Sequence, residues 1–352
     1  MTTARHAAAA LNEFANALLA RAGVRSDIAS TTAEVLVEGD LLGHTTHGLA
    51  LLPGYLRELD QGAMRKAGEP TIMHKRPAAQ SWDGDRLPGP WLTMRALDAA
   101  IEMARTYGTG SVVVRRSHHI ACLAAYLMRA TDAGLIALVL SSDPSACSVA
   151  PFGAVTPVFT PNPLAAGFPT GGDPILLDIS ASITTNGLTT RLYNEGTRLP
   201  HAWVQDAEGN PTDDPAVLFR EPKGTLLPLG GLDAGHKGYA LALLVEALTA
   251  GLAGFGRADA PEGWGATVFV QAIDPEAFGG RDAFAHQMDW IAQACHQARP
   301  RPGTAGARLP GERGLRLARE QAQRGVALHR GILPALAPWA QRYGVAMPPA
   351  LA

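Results

Sequence analysis

Apolar residues recur at helical spacing in the first part of the chain. Leu11, Phe14, Leu18 and Leu19 mark one helix, and Val35, Leu36 and Leu41 mark a second that Ser26 could cap. Residues 3–62 therefore read as helical, with Pro53-Gly54 interrupting the pattern. Beyond this the periodicity alternates. The spacing predicts helices over Trp91–Tyr107, through Tyr126 and Met128, and over Tyr239–Leu252. Short β runs stand at Ser111–Arg115, Ile136–Leu140, Ile175–Asp178 and Thr267–Ile273, and the proline-rich stretch Thr156–Pro163 reads as a loop. From Asp282 onward the pattern is helical again, through Glu312–Gly325 and Leu328–Tyr343. The order helical, mixed, helical predicts an α+β fold. The helical domain is built from residues 1–68 and 282–352, and residues 69–281 form a central mixed α/β domain.

Composition narrows the class. Of 352 residues, 47% are apolar and 18% charged, enough to bury a sizeable core. The net charge of −2, with no basic stripe, argues against a nucleic-acid partner. Glu246 and Thr249 interrupt the longest apolar stretch, which is also short for a membrane span. The N-terminus reads as an amphipathic helix, not a signal peptide. Three scattered cysteines, Cys122, Cys147 and Cys295, give no disulfide framework and fit a cytoplasmic protein.

Three short motifs carry candidate chemistry. In His44-Thr45-Thr46-His47-Gly48 an imidazole follows a hydroxyl, a pairing that can move a proton near neutral pH. On a helix His44 and His47 would share a face, and with His118 or His119 they could ligate a metal; structural histidines are the competing explanation. Ser117-His118-His119 stands at a strand-to-helix junction, where α/β enzymes often carry site residues. Gly235-His236-Lys237-Gly238 puts a lysine at the start of a long helix. There it opposes the helix dipole unless an anion such as a pyrophosphate sits beside it. The chain lacks the glycine-rich dinucleotide fingerprint, the phosphate loop and the serine-hydrolase elbow.

In these motifs, in Asp83-Gly84-Asp85, Asn162-Pro163, Leu177-Asp178, Gly187, Glu246 and Leu309-Pro310-Gly311-Glu312, and in their order, the chain resembles the malate/L-lactate dehydrogenase family. That family comprises nicotinamide enzymes with a non-Rossmann central domain. The resemblance implies an oxidoreductase using NAD or NADP to interconvert a small 2-hydroxy acid and its 2-oxo acid, acting as a homodimer; because a histidine handles the charge change in that reaction, no metal is required. It implies catalytic roles for His47, Thr46 and His119. It implies cofactor contacts at His119, Ile120, Ala121, Cys122, Leu123, Ser142, Asp178, Ile179, Ser180, His236, Lys237, Pro310, Gly311, Glu312 and Arg313.

Three positions depart from the family pattern. Many members carry an arginine four residues after the catalytic histidine, suited to a carboxylate; here it is Leu51. The Arg-Gly-Asp run of the imine-reducing branch reads Asn186-Gly187-Leu188, and the usual Thr-Asn-Pro reads Pro161-Asn162-Pro163. Two other readings stand beside the dehydrogenase: a metal-dependent hydrolase built on the histidines, and a non-catalytic relative that kept the fold.

Overall fold

The computed structural model describes residues 4–351. Its elements run β1 (Arg5–His6), α1 (Ala8–Arg21), α2 (Ser26–Leu41), α3 (Leu52–Asp60), β2 (Thr71–Arg76), β3 (Ala79–Asp83), α4 (Gly89–Tyr107) and β4 (Thr109–Ser117). They continue with α5 (Ala124–Thr131), β5 (Ile136–Ser142), β6 (Pro163–Phe168), β7 (Ile175–Ser180), α6 (Asn186–Asn194), β8 (Val204–Gln205), β9 (Pro211–Thr212) and β10 (Thr225–Leu226). The last are α7 (Gly231–Glu246), β11 (Ala266–Ile273), α8 (Arg281–Gln297), α9 (Glu312–Arg324), β12 (Val326–Ala327) and α10 (Ile332–Tyr343).

The central sheet has seven strands in the order β2-β3-β4-β11-β5-β6-β7. Only β3 and β4 pair in parallel, and α4 makes the crossover such a pair requires. Every other neighbour is antiparallel, so this is not a doubly wound nucleotide-binding sheet. The fold is the expected mixture of helix and mixed sheet. β8, β9 and β10 form a small separate sheet.

The two chain ends meet. β1 pairs with β12, and Leu315, Ile332 and Leu336 share one buried cluster with Leu11, Leu18 and Leu36. That cluster runs on without a break into Ala96 of α4, Val112 of β4 and Val270 of β11, so helices and sheet share a core. Gln321 of α9 is buried between them. Its Nε2 donates to the carbonyls of Asp40 and Leu41, at 3.0 and 2.9 Å, and its Oε1 accepts from the Ala327 N–H. Those carbonyls end α2, where the regular helical donors run out; Asp40 O also accepts the Gly43 N–H at 3.0 Å.

Four local expectations change. Arg5–His6 is a strand, not helix, because it finds β12 from the far end of the chain. Ser26 begins α2 without capping it; Arg25 holds the cap position and no side chain bonds there. Pro53 does not break a helix but starts α3, since a first-turn proline loses no hydrogen bond. The run His44–His47 is a turn after α2, closed by His44 N–H to the Gly39 carbonyl and His47 N–H to the His44 carbonyl. The two imidazoles therefore share no helix face.

Candidate active site

β4, β5 and β7 end, and β6 and β11 begin, at the same end of the central sheet. There a cavity of about 1030 Å³ opens between the sheet, the histidine turn, α6 and the start of α10. This is the upper end of the size range for small-molecule sites, ~300–1,000 Å³. Its wall includes Thr46, His47, the segment His119–Leu123 and Asp178–Ser180. These stand far apart in sequence and converge because β4 delivers one group, β7 another, and α2 ends against both.

The histidine turn is held by Asp40, a buried carboxylate on the last turn of α2. Its Oδ2 accepts the Leu49 N–H at 2.7 Å, while Oδ1 has no partner. Burial raises its pKa from the ordinary 3.8 to about 7. A Cβ at Gly48 would overlap this carboxylate, which is why glycine must follow His47.

The two histidines are held differently. His47 Nδ1 lies 2.9 Å from Thr46 Oγ1, which leaves its Nε2 free. Burial pulls its pKa below the ordinary value and the Asp178 charge opposes that pull. His119 lies parallel to it, with ring centroids 6.1 Å apart. The Ala121 N–H donates to His119 Nδ1 at 3.2 Å, which makes Nδ1 an acceptor and leaves the proton on Nε2. Tyr55 Oη is 3.0 Å from both Nδ1 and the His119 carbonyl, and Trp264 covers the ring at 4.8 Å. Burial holds the His119 pKa well below the ordinary value, so the ring is neutral.

Asp178, on β7, reaches the start of α5, where its Oδ2 accepts the Ala124 N–H at 2.9 Å. Ligand atoms of His44, Cys122 and Asp178 lie within 4.8 Å of one another, the one such group among the described residues. Burial and the Asp178 charge push the Cys122 thiol up. His118, the other half of the strand-end pair, turns away from the cavity. It packs edge-on against Tyr55 and Trp264, and burial lowers its pKa to about 3.

Other candidate residues stand elsewhere. Ser142 is buried and donates to Glu246 Oε1 at 2.7 Å, while its neighbour Ser141 lines the cavity. His236 and Lys237 are exposed on α7, just after a break in helical geometry at Ala234, and do not line the cavity. Pro310, Gly311, Glu312 and Arg313 also lie outside it. The Pro310 carbonyl accepts the Leu176 N–H, Gly311 caps α9 with φ 87°, and Glu312 pairs with His296 at 3.0 Å. The sequence reading missed Asp40, Tyr55, Trp264 and Arg191, all of which shape the cavity or its histidines. Arg191 is half-buried on α6 and donates from Nη1 and Nη2 to Thr45 Oγ1 and O, at 2.8 and 2.7 Å.

Known proteins share this arrangement of chain. A family profile described as malate/L-lactate dehydrogenase matches residues 6–337. An L-lactate dehydrogenase of Cupriavidus necator is 34% identical over 307 residues, covering 85% of this chain and 87% of the relative. Hydroxycarboxylate dehydrogenase B of Escherichia coli K12 is 30% identical over 352 residues, covering 97% and 95%. The crystal structure of malate dehydrogenase from Entamoeba histolytica superposes with a TM-score of 0.93 at 25% identity, over 99% of this chain and 100% of that one.

Proposed function

The chain belongs to the malate/L-lactate dehydrogenase family, and from that premise we propose a division of labour within its cavity. The protein is an oxidoreductase that interconverts 2-hydroxy and 2-oxo acids. In the proposed reading His47 is the acid–base group and His119 a neutral hydrogen-bond donor. NAD or NADP lies along His119–Leu123 and Asp178–Ser180.

The observation that carries this reading is a pair of stacked histidines in one cavity, one with Nδ1 beside a hydroxyl and the other with Nδ1 accepting a backbone N–H. With its Nδ1–H directed at Thr46, neutral His47 offers a bare Nε2 to the substrate hydroxyl. On oxidation Nε2 takes the hydroxyl proton, and on reduction it returns it. Asp178 steadies the imidazolium formed in between, as its charge raises the His47 pKa. His119 Nε2–H donates to the oxygen that becomes the carbonyl. Trp264 and Tyr55 fix that ring and keep water from it. A nicotinamide, when bound, supplies the hydride acceptor or donor. The backbone fits it: Ala121 takes a left-handed φ of 60°, and His119–Leu123 and Asp178–Ser180 both line the cavity.

A homodimer belongs to the proposal, supported by large apolar side chains left exposed on α7 and α8: Leu243, Leu244, Trp290 and Ile291. A cytoplasmic location is supported by three free cysteines. No helix among the described residues is long and apolar enough to cross a membrane. The test is a screen of 2-oxo acids with NADH and with NADPH, following loss of reduced-nicotinamide absorbance. Turnover with at least one pair is expected. Cofactor binding without turnover of any 2-oxo acid refutes the assignment of roles.

A further inference from the structure

We propose that Arg191 binds the substrate carboxylate and that Leu51 faces the substrate side chain, so that the preferred substrates are monocarboxylic 2-hydroxy and 2-oxo acids with apolar side chains. This rests on the 2-hydroxy acid reading of the cavity.

Arg191 is a cation without a counterion. Two of its five N–H donors serve the neutral Thr45, and no carboxylate of the described residues comes within ion-pair distance. Glu195, one helical turn on, is taken by His329 at 3.2 Å and Arg330 at 3.6 Å. Burial works against the charge on Arg191, with Glu195 and Asp40 supporting it only at longer range. A half-buried guanidinium that lines a cavity and lacks a partner is a site for an incoming carboxylate, which its planar fork can grip at two points.

The position also suits the chemistry. Gly187 and Arg191 stand four apart on α6 and so share a face. A Cβ at Gly187 would come 3.2 Å from Thr46 Cβ and 3.7 Å from His47 Cε1. The missing side chain lets α6 lie directly against the acid–base pair, and Arg191 follows one turn later, bonded to the residue before Thr46. A carboxylate on Arg191 puts the adjacent carbon of a 2-hydroxy acid beside His47. The wall at Ala50, Leu51, Ile332 and Ala335 carries no charge. The basic groups nearest that wall, His329 and Arg330, are both already held by Glu195, so a second acidic group on the substrate has no free partner there, whereas an alkyl or aryl side chain loses water against it.

The experiment measures KM and kcat for 4-methyl-2-oxopentanoate and for oxaloacetate. It also measures oxamate binding to the cofactor complex by fluorescence quenching, and cofactor affinity alone. Wild type should favour 4-methyl-2-oxopentanoate. Arg191→Gln should raise its KM and weaken oxamate by about ten- to a hundredfold, the worth of a charge-assisted hydrogen bond, with cofactor affinity kept. Arg191→Lys should restore part of the loss, because it keeps the charge but not the fork. Leu51→Arg should shift preference toward oxaloacetate by about tenfold or more. Unchanged KM and oxamate affinity in Arg191→Gln, or a loss confined to cofactor affinity, overturns the anchor. Wild type that prefers oxaloacetate overturns the apolar side-chain assignment. Wild type that turns over no 2-oxo acid at all refutes the parent reading, and does so before any variant is made.

Discussion

Asp40 shows how one side chain can tie the histidine turn to pH. Its folded pKa, about 7, stands above the ordinary 3.8, so the fold holds the proton more tightly than the unfolded chain. The resulting stability is full below the ordinary carboxylate value and is lost as pH rises through 7. A rise of about three units corresponds to about 4 kcal/mol. Asp40→Asn imitates the protonated form and should flatten the dependence of melting temperature on pH between roughly 4 and 8. An unchanged slope would mean that Asp40 is ionised in the fold. At His47 the sign is reversed, because burial lowers the pKa of a base. Oxidation should therefore keep its rate below the ordinary histidine range before falling with acid, as a pH profile of kcat/KM would record. His47→Ala should lower turnover by ~10²–10⁴-fold with cofactor affinity little changed. His119→Ala should weaken binding as well as turnover, and Thr46→Val should do less harm than either. If His119→Ala abolishes turnover with normal binding and His47→Ala stays active, the two roles must be exchanged. His47 and His119 were legible in sequence because a hydroxyl or a strand end beside a histidine is a local signal. Arg191 was not. It stands in a short polar helix, and its meaning comes from Thr45, which is distant along the chain.

Elements carried their signal where one face is apolar. α4, α5, β4, β5 and β11 appear in the sequence within a few residues of their observed limits, because each buries a regular stripe. β2 gave no such signal. All its residues are exposed, and it exists because β3 offers an edge to pair with. The helix imagined across His44–His47 failed for a related reason: local spacing could not register the buried Asp40 carboxylate that turns the chain. α9 and α10 were read correctly as helices, and their packing gives a prediction. Removing residues 312–352 would strip Leu315, Ile332 and Leu336 from the core and leave the α2 carbonyls without Gln321. Each buried aliphatic side chain lost costs ~2–5 kcal/mol, against a total stability of ~5–15 kcal/mol. The truncated protein should be insoluble or inactive on expression, and a soluble, active product would show these helices to be an appendage.

At the scale of the whole molecule, the core continues from the helices into the sheet, while much apolar surface stays outside it. Leu243 and Leu244 are 46% and 49% exposed, and Trp290 is 61% exposed on a helix with no buried residue. Light scattering should report at least a dimer, and Leu243→Glu with Trp290→Glu should drive it toward monomer; a wild-type monomer would leave these faces unexplained by self-association. A chelator should leave turnover intact, since proton and hydride are both accounted for without a metal. Loss of activity restored by zinc would instead assign the site of His44, Cys122 and Asp178 to a cation.

The grip of Gln321 on the carbonyls of Asp40 and Leu41 has a consequence for biosynthesis. The turn that presents His47 is made early, but the amide that fastens its base is made 281 residues after Asp40. A nascent chain can fold its sheet before then, since domains form in order of emergence. It still lacks the clamp on the base of the histidine turn. Ribosome-bound chains stalled before residue 321 should therefore be catalytically silent however well their central sheet has formed, and activity should appear only in chains long enough for α9 to have emerged and docked.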